Sequence, residues 1–315
     1  LKRATDTCNN ASDVGRVGWL AKIIKQLQQQ FLIIVALMAD KLNTGNIEQV
    51  YNVREDEAIS SGVALVLCVL VQRGVFVAGF SITKELLTIH YSEYSSTRPV
   101  WELDFFEQLF ASEPLLAVRE KVKGVFLAGD KNLVIPDELY SAPDAEAWLR
   151  KIHFVEQSDR VAAFAMESDK AQLLQAFPLN IVELVKINFK RATVLPLQEY
   201  QLEQSNTQSL HLQCFITRDQ VFATLHNYSQ LLWYQVFDYA CAEDIAFAFK
   251  NLCKENYIDA AKLHLACTAV SGSEYDVINE LTRYFPSVKS GNGRAIQSRW
   301  DPAVCLANQL LACVL

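Results

Sequence analysis

Several signatures are missing from this 315-residue chain, and each absence closes a class of function. No GxxxxGK followed by Ser or Thr, no GxGxxG, no GxSxG and no HExxH occurs. The common phosphate-loop, dinucleotide, serine-hydrolase and zinc-protease readings therefore have no sequence support. None of the eight cysteines forms a CxxC pair, and most sit in apolar runs such as LHLQCFI and HLACTAV. That pattern excludes a zinc ribbon or a small secreted disulfide scaffold and predicts reduced, buried thiols in a reducing compartment. The five histidines are dispersed along the chain, so no metal-ligand set is expected. No Lys/Arg block stands out, net charge is −7 and the pI is about 5.4. A phosphate-tracking nucleic-acid surface is thereby excluded. Long apolar runs are missing too. FLIIVALMA (31–39) falls well short of the roughly 20 residues a spanning helix needs. GVALVLCVLV (62–71) runs straight into Gln72-Arg73-Gly74, which reads as a strand ending in a turn, not as an export signal. Stable membrane insertion is not expected, and a cytoplasmic location is.

What is present is a patterned core: 51% of residues are hydrophobic and 21% charged, enough for two domains. ALVLCVLVQ (64–72), GVFVAGFSI (74–82) and ELLTIHYSEY (85–94) read as three strands separated by short polar turns. Pro99 opens a helix, VWELDFFEQLFAS, with Val100, Leu103, Phe106 and Phe110 on one face. KVKGVFLAGD (121–130) is a fourth strand. After Pro136 the pattern predicts a short turn or helix, then a helix from near Pro143. RVAAFAME (160–167) reads as a strand, and Ser168 as the N-cap of a helix DKAQLLQAF. Residues 209–285 repeat the opening order: strands SLHLQCFI, QVFATLHN and QLLWYQVFDY, helix CAEDIAFAFKNLC, strand AKLHLACTAV and helix SEYDVINELTRYF. In the third of these strands Trp233, Phe237 and Tyr239 share a face with Gln235, while Tyr234 and Val236 point the other way.

Strand–strand–strand–helix–strand, met twice, is the pattern of a duplicated actin-like ATPase fold: two ribonuclease-H-like α/β lobes of mixed sheets with a cleft between them. The expected divisions are a helical extension over 1–62, a first lobe over 63–180, a connector over 181–208 and a second lobe with a divergent tail over 209–315. The extension is expected to hold one helix, Trp19–Leu42. Whether it is native, a fusion remnant or a mis-assigned start is left open. From about Gly74 to Phe285 the chain also resembles the bacterial family numbered 3822 among the domains of unknown function. The resemblance rests on LLWYQVFDY followed by AEDIAFAF, on NLVIPDELY after GVFLAG, and on LTRYFP. It implies the same actin-like fold and no established activity, and the tail from Ser287 departs from it.

An actin-like ATPase cradles phosphate with one hairpin turn per lobe, using glycines for close backbone approach and acids for the metal. Here the first turn, Val71-Gln72-Arg73-Gly74, has one glycine and no acid. The second, Thr217-Arg218-Asp219-Gln220, has one acid and no glycine. The adenosine turn, Val270-Ser271-Gly272-Ser273, has one glycine, with Ser273 read as a helix N-cap. The first strand of each lobe carries no carboxylate, which removes a two-metal nuclease. No catalytic, cofactor-binding or metal residue is therefore assigned and no cofactor is expected. The expectation is a non-catalytic, pseudo-ATPase scaffold that binds another protein or itself. The alternative is a divergent nucleotide-binding or kinase-like enzyme drawing on Asp219, Asp238 or Asp244. Glu243 and Asp244 are otherwise expected to complement a helix dipole.

Overall fold

A computed structural model describes residues 47–53, 62–95, 97–166, 170–198, 210–228 and 230–314. The expected Trp19–Leu42 helix and Ser168 lie outside these. The described chain begins with β1 (Ile47–Asn52), β2 (Leu65–Val71), β3 (Gly74–Phe80) and β4 (Leu86–Glu93), then α1 (Leu103–Ser112), α2 (Pro114–Ala117) and β5 (Val122–Leu127). An inserted unit follows: β6 (Asn132–Pro136), α3 (Ala145–Arg150), β7 (Asp159–Met166) and β8 (Ala171–Pro178). Next come α4 (Leu179–Asn188) and β9 (Thr193–Pro196). The second half is β10 (His211–Ile216), β11 (Gln220–Asn227), β12 (Gln230–Asp238), α5 (Ala242–Glu255), β13 (His264–Ala269), α6 (Tyr275–Leu281), β14 (Ser287–Ser290) and α7 (Asp301–Val314).

Three sheets result, ordered β1-β4-β3-β2-β5-β9, β12-β11-β10-β13-β14 and β6-β8-β7. Leave out the edge strand β1 and number each half from its first strand. Both large sheets then read 3-2-1-4-5. In both, the first three strands pair antiparallel and the last two join in parallel. The repeated sequence pattern is thus a repeated topology. Thr193–Pro196, placed in the connector by the sequence, is the fifth strand of the first sheet.

The central strands are buried on both faces, which is why β2 reads LVLCVLV without polar alternation. Val66, Cys68 and Leu70 pack beneath α1 and α4 with Phe106 and Val185, whereas Leu67, Val69 and Val71 face the second lobe. β10 divides likewise, with Leu212, Cys214 and Ile216 against α5 and Phe215 on the inner side. Between the two inner faces lies α7. Its Ala303, Leu306, Ala307 and Leu310 join Leu67 and Phe76 of one lobe to Phe215 and Phe222 of the other in one apolar cluster. The tail is therefore the wedge between the lobes rather than an appendage of the second. Trp300, just before it, lies 5.4 Å from the Tyr51 ring on β1, tying the first described strand to the last helix.

Three local expectations are corrected. Residues 171–178 form a strand, not a helix. β8 is the middle of the third sheet, with Leu173 in one cluster and Leu174 and Ala176 in another, and burial on both faces overrides the helical look of AQLLQAF. Its neighbour Asn132–Pro136, to which the sequence assigned no element, pairs with it. Ile47–Asn52, within the expected helical extension, is a strand that pairs with β4. The helix expected from Pro99 starts only at Leu103, because the Trp101 N–H is bonded to the Gln72 carbonyl, at 2.8 Å, and Val100 is exposed.

The third strand of the second lobe divides its aromatics as expected: Trp233, Phe237 and Tyr239 pack towards α5, Val236 inward and Tyr234 against the inserted sheet. Histidines far apart in sequence meet in register, with His226, His211 and His264 side by side on β11, β10 and β13. Cys214 and Cys267 are likewise in register, with sulfurs 3.2 Å apart, and burial pushes the Cys214 thiol well up, so it stays protonated.

Leu306 is fully buried at the lobe junction, so Leu306→Ala is expected to cost about 2–5 kcal/mol in urea unfolding. Leu139→Ala, at a side chain 61% exposed, is expected to stay within about 0.5 kcal/mol.

Candidate functional site

The actin-like cleft is judged at its two hairpin turns. In the first, Gln72 and Arg73 join β2 to β3. In the second, the Thr217 hydroxyl accepts from the Gln220 N–H at 3.2 Å and closes the turn around Arg218 and Asp219. Each turn is strapped by a tyrosine that follows the third strand of its own lobe. The Tyr94 N–H donates to the Arg73 carbonyl at 3.0 Å and its hydroxyl to the Gln72 carbonyl at 2.9 Å. The Tyr239 N–H donates to the Asp219 carbonyl at 3.1 Å and its hydroxyl to the Thr217 carbonyl at 2.7 Å. The duplication thus extends to individual residues, an acid–Tyr pair in each lobe: Glu93-Tyr94 and Asp238-Tyr239.

The two turns reach across the cleft to each other. Arg73 Nη1 lies 2.9 Å from Asp219 Oδ2, and Arg218 Nη1 lies 2.7 Å from Glu93 Oε1. Each lobe sends one arginine to a carboxylate of the other. The Glu93 side chain is buried and also accepts from the Tyr91 hydroxyl at 3.1 Å, and burial followed by the nearby Glu93 charge drives that phenol well above its ordinary value. Between the turns a cavity of about 10 Å³ remains, roughly the minimum for one water molecule. Gly74, the single glycine of the first turn, serves packing: a Cβ there would sit 2.8 Å from the Tyr91 hydroxyl and 3.0 Å from the Ser92 carbonyl.

The third turn is filled from within. Glu274, which the sequence reading passed over, is the N-cap position of α6, although Ser273 was expected there. Its buried carboxylate accepts from the Ser271 N–H at 3.2 Å, the Ser271 hydroxyl at 2.8 Å and the Ser273 hydroxyl at 2.9 Å. Burial holds this carboxyl above the usual range against those hydrogen bonds, and the charge on Glu93 adds to the effect.

The acids singled out from the sequence are all engaged within the fold. Asp219 meets Arg73, and Asp238 accepts from the Gln220 side-chain amide at 3.0 Å. Asp244 accepts from the Ala240 N–H at 2.9 Å and the Cys241 N–H at 3.3 Å at the start of α5, bonds that lower its pKa. Glu243, beside it, accepts from the Tyr284 hydroxyl at 3.1 Å. Only Asp219 belongs to the turn cluster. Glu93 and Glu274 were missed.

A family model described as a protein of unknown function, DUF3822, matches residues 67–288. The chain belongs to that family. No curated relative matches it. Among solved structures, a Bacteroides thetaiotaomicron VPI-5482 protein described as having an actin-like ATPase fold and unknown function aligns with a TM-score of 0.63 at 15% identity. That alignment covers 80% of this chain and 99% of the other. A PilM–PilN type IV pilus biogenesis complex aligns at 0.48 and 13% identity, over 81% of this chain and 99% of that one. EutJ, an ethanolamine utilization protein from Carboxydothermus hydrogenoformans, aligns at 0.43 and 10% identity, over 78% and 89%. The first of these likenesses shows the fold of this DUF3822 member to be actin-like, in keeping with the repeated sheet order. β1 and α7, joined through Tyr51 and Trp300, both lie outside the family match.

Two outcomes test the electrostatics. Arg218→Ala strands the buried Glu93 carboxylate and is expected to destabilise by about 1–3 kcal/mol, most of it recovered in Arg218→Ala/Glu93→Gln. Arg73→Ala, at a pair with both side chains partly exposed, is expected to cost under about 1 kcal/mol. Separately, Glu274 has a raised folded pKa, so the folded state binds its proton more tightly and the wild type loses stability as pH rises through that value. The melting temperature of Glu274→Gln relative to wild type is expected to rise with pH from about 4 to 8. A difference that is flat or falls over that range sinks the assignment.

Proposed function

We propose that this chain is a non-catalytic actin-like protein, a pseudo-ATPase, that acts by binding another protein or a second copy of itself. The observation that carries the reading is the closed contact between the two turns. Arg73–Asp219 and Arg218–Glu93 hold the positions that would cradle phosphate and metal in an actin-like ATPase, and about 10 Å³ is left between them. The filled adenosine turn and the glycine-poor hairpins support it further. Asp219, Asp238 and Asp244, on which a divergent nucleotide-binding or kinase-like enzyme would draw, each already serve an ion pair or hydrogen bond of the fold.

The setting proposed is the cytoplasm, with neither nucleic acid nor stable membrane insertion. Among the described residues no helix is long and apolar enough to cross a bilayer.

Thermal unfolding with millimolar Mg-ATP and Mg-GTP tests the reading. A nucleotide at 100 times its dissociation constant stabilises by about 2.7 kcal/mol, a shift of several degrees for a protein of this size. No shift is expected. A shift of that magnitude would overturn the pseudo-ATPase reading.

A further inference from the structure

The cysteine-bearing runs LHLQCFI and HLACTAV lie far apart in sequence, and the fold sets them side by side. Cys214 and Cys267 are Cα partners on the parallel neighbours β10 and β13. Adjacent strands lie about 4.8 Å apart, inside the span of about 4.4–6.8 Å between the Cα atoms of a disulfide. Both side chains pack on the face covered by α5, both thiols are free, and the sulfurs are 3.2 Å apart. A disulfide bond is about 2.0 Å long, so about 1 Å of approach separates the two thiols from a bond.

The surroundings decide which oxidant can reach them. Cys214 and Cys267 are buried among Leu212, Ile216, Ile245 and Phe249. A protein oxidoreductase is too large for such a place, and a charged disulfide such as that of glutathione is too costly to desolvate. Hydrogen peroxide is neutral and little larger than water. Burial also keeps the Cys214 thiol protonated, which makes the first step slow because the thiolate is the nucleophile. The contact between the sulfurs then decides the product. A sulfenic acid on either one has a thiol against it, and condensation with that neighbour outruns attack by a second peroxide molecule.

We propose that Cys214 and Cys267 form a reversible dithiol–disulfide site whose oxidant is hydrogen peroxide. One thiolate attacks the peroxide: an S–O bond forms, the O–O bond breaks, and the departing hydroxide is protonated to water. The second thiolate attacks the sulfenic sulfur: the S–S bond forms, the S–O bond breaks, and a second water leaves. The two sulfurs lose two electrons, the peroxide gains them, and the two thiol protons end in the two waters. The bond staples the first strand of the second lobe to its parallel neighbour and closes a loop that holds β11, β12 and α5. Disulfides in a reducing compartment are characteristically transient and redox-sensing, so the reduced pair is the resting state. The protein-binding reading does not depend on this site.

Peptide mapping of the full chain carrying Cys8→Ser, Cys241→Ser and Cys313→Ser tests it. The folded protein is held in hydrogen peroxide for hours, alkylated in denaturant and digested with trypsin without reduction. Cleavage at Arg191, Arg218, Lys262 and Arg283 places Cys214 on peptide 192–218 and Cys267 on peptide 263–283, each as its sole cysteine. The two peptides are expected to appear joined, two hydrogens lighter than their sum, and to separate on treatment with dithiothreitol. Adding Cys214→Ser is expected to leave a sulfenic acid on Cys267 that dimedone traps, and adding Cys267→Ser to leave one on Cys214. Both thiols still alkylated, either sulfur found as sulfinic acid without the joined pair, or a bond to Cys253 instead would overturn the site. So would a joined pair that forms only when the peroxide is added in urea.

Discussion

The apolar cluster between the lobes is the constraint on which the rest of the molecule depends. Leu67 and Phe76 on one sheet, Phe215 and Phe222 on the other, and Leu306 and Leu310 on α7 are removed from water together. Burial of this kind is strong and non-directional. It sets how close the two sheets come, while it leaves their fine registration to polar groups. It also explains why the central strands carry apolar side chains on both faces, since each sheet packs outward on its own helices and inward on the wedge.

At the edge of that core the polar groups supply direction. The turns are strapped by equivalent tyrosines and then paired lobe to lobe, Arg73 with Asp219 and Arg218 with Glu93. The two pairs are not equal. Arg73 and Asp219 both keep solvent contact, where screening makes an ion pair nearly neutral in free energy. Glu93 is buried, so its carboxylate depends on Arg218 and on the Tyr91 hydroxyl for compensation. An actin-like ATPase uses the same two turns to hold an anionic ligand and its metal. Here side chains of the two lobes pair with one another between those turns.

The inserted β6-β8-β7 sheet moves the open surface elsewhere. Its hydrophobic faces are satisfied by α3 on one side and by Leu231 and Tyr234 of β12 on the other, which brings two strand edges alongside each other. The exposed apolar side chains Ile152 and Leu232 thus lie beside the inserted sheet.

Much of the frame was legible in the sequence. Apolar periodicity reports whether a segment has one buried face or two, and that sufficed for the two repeated lobes and the division of aromatics along β12. The glycine-poor turns, and the shortage of acids in them, were legible for the same reason: turn chemistry is local. What periodicity cannot report is the surface against which a face is buried. The run Ala171–Pro178 is compatible with a helix until β6 and β7 flank it, and α7 looks like a tail until both lobes close on it. The pairing of Arg73 with Asp219 spans 146 positions, and that of Arg218 with Glu93 spans 125. Glu93-Tyr94 and Asp238-Tyr239 are two of four acid–Tyr dipeptides in the chain, and what sets them apart is the turn that each tyrosine straps. The sequence alone determined which faces are apolar and which turns are poor in glycine and acid. The tertiary structure decided which charges meet, because the inter-lobe core brings the two halves within hydrogen-bonding distance.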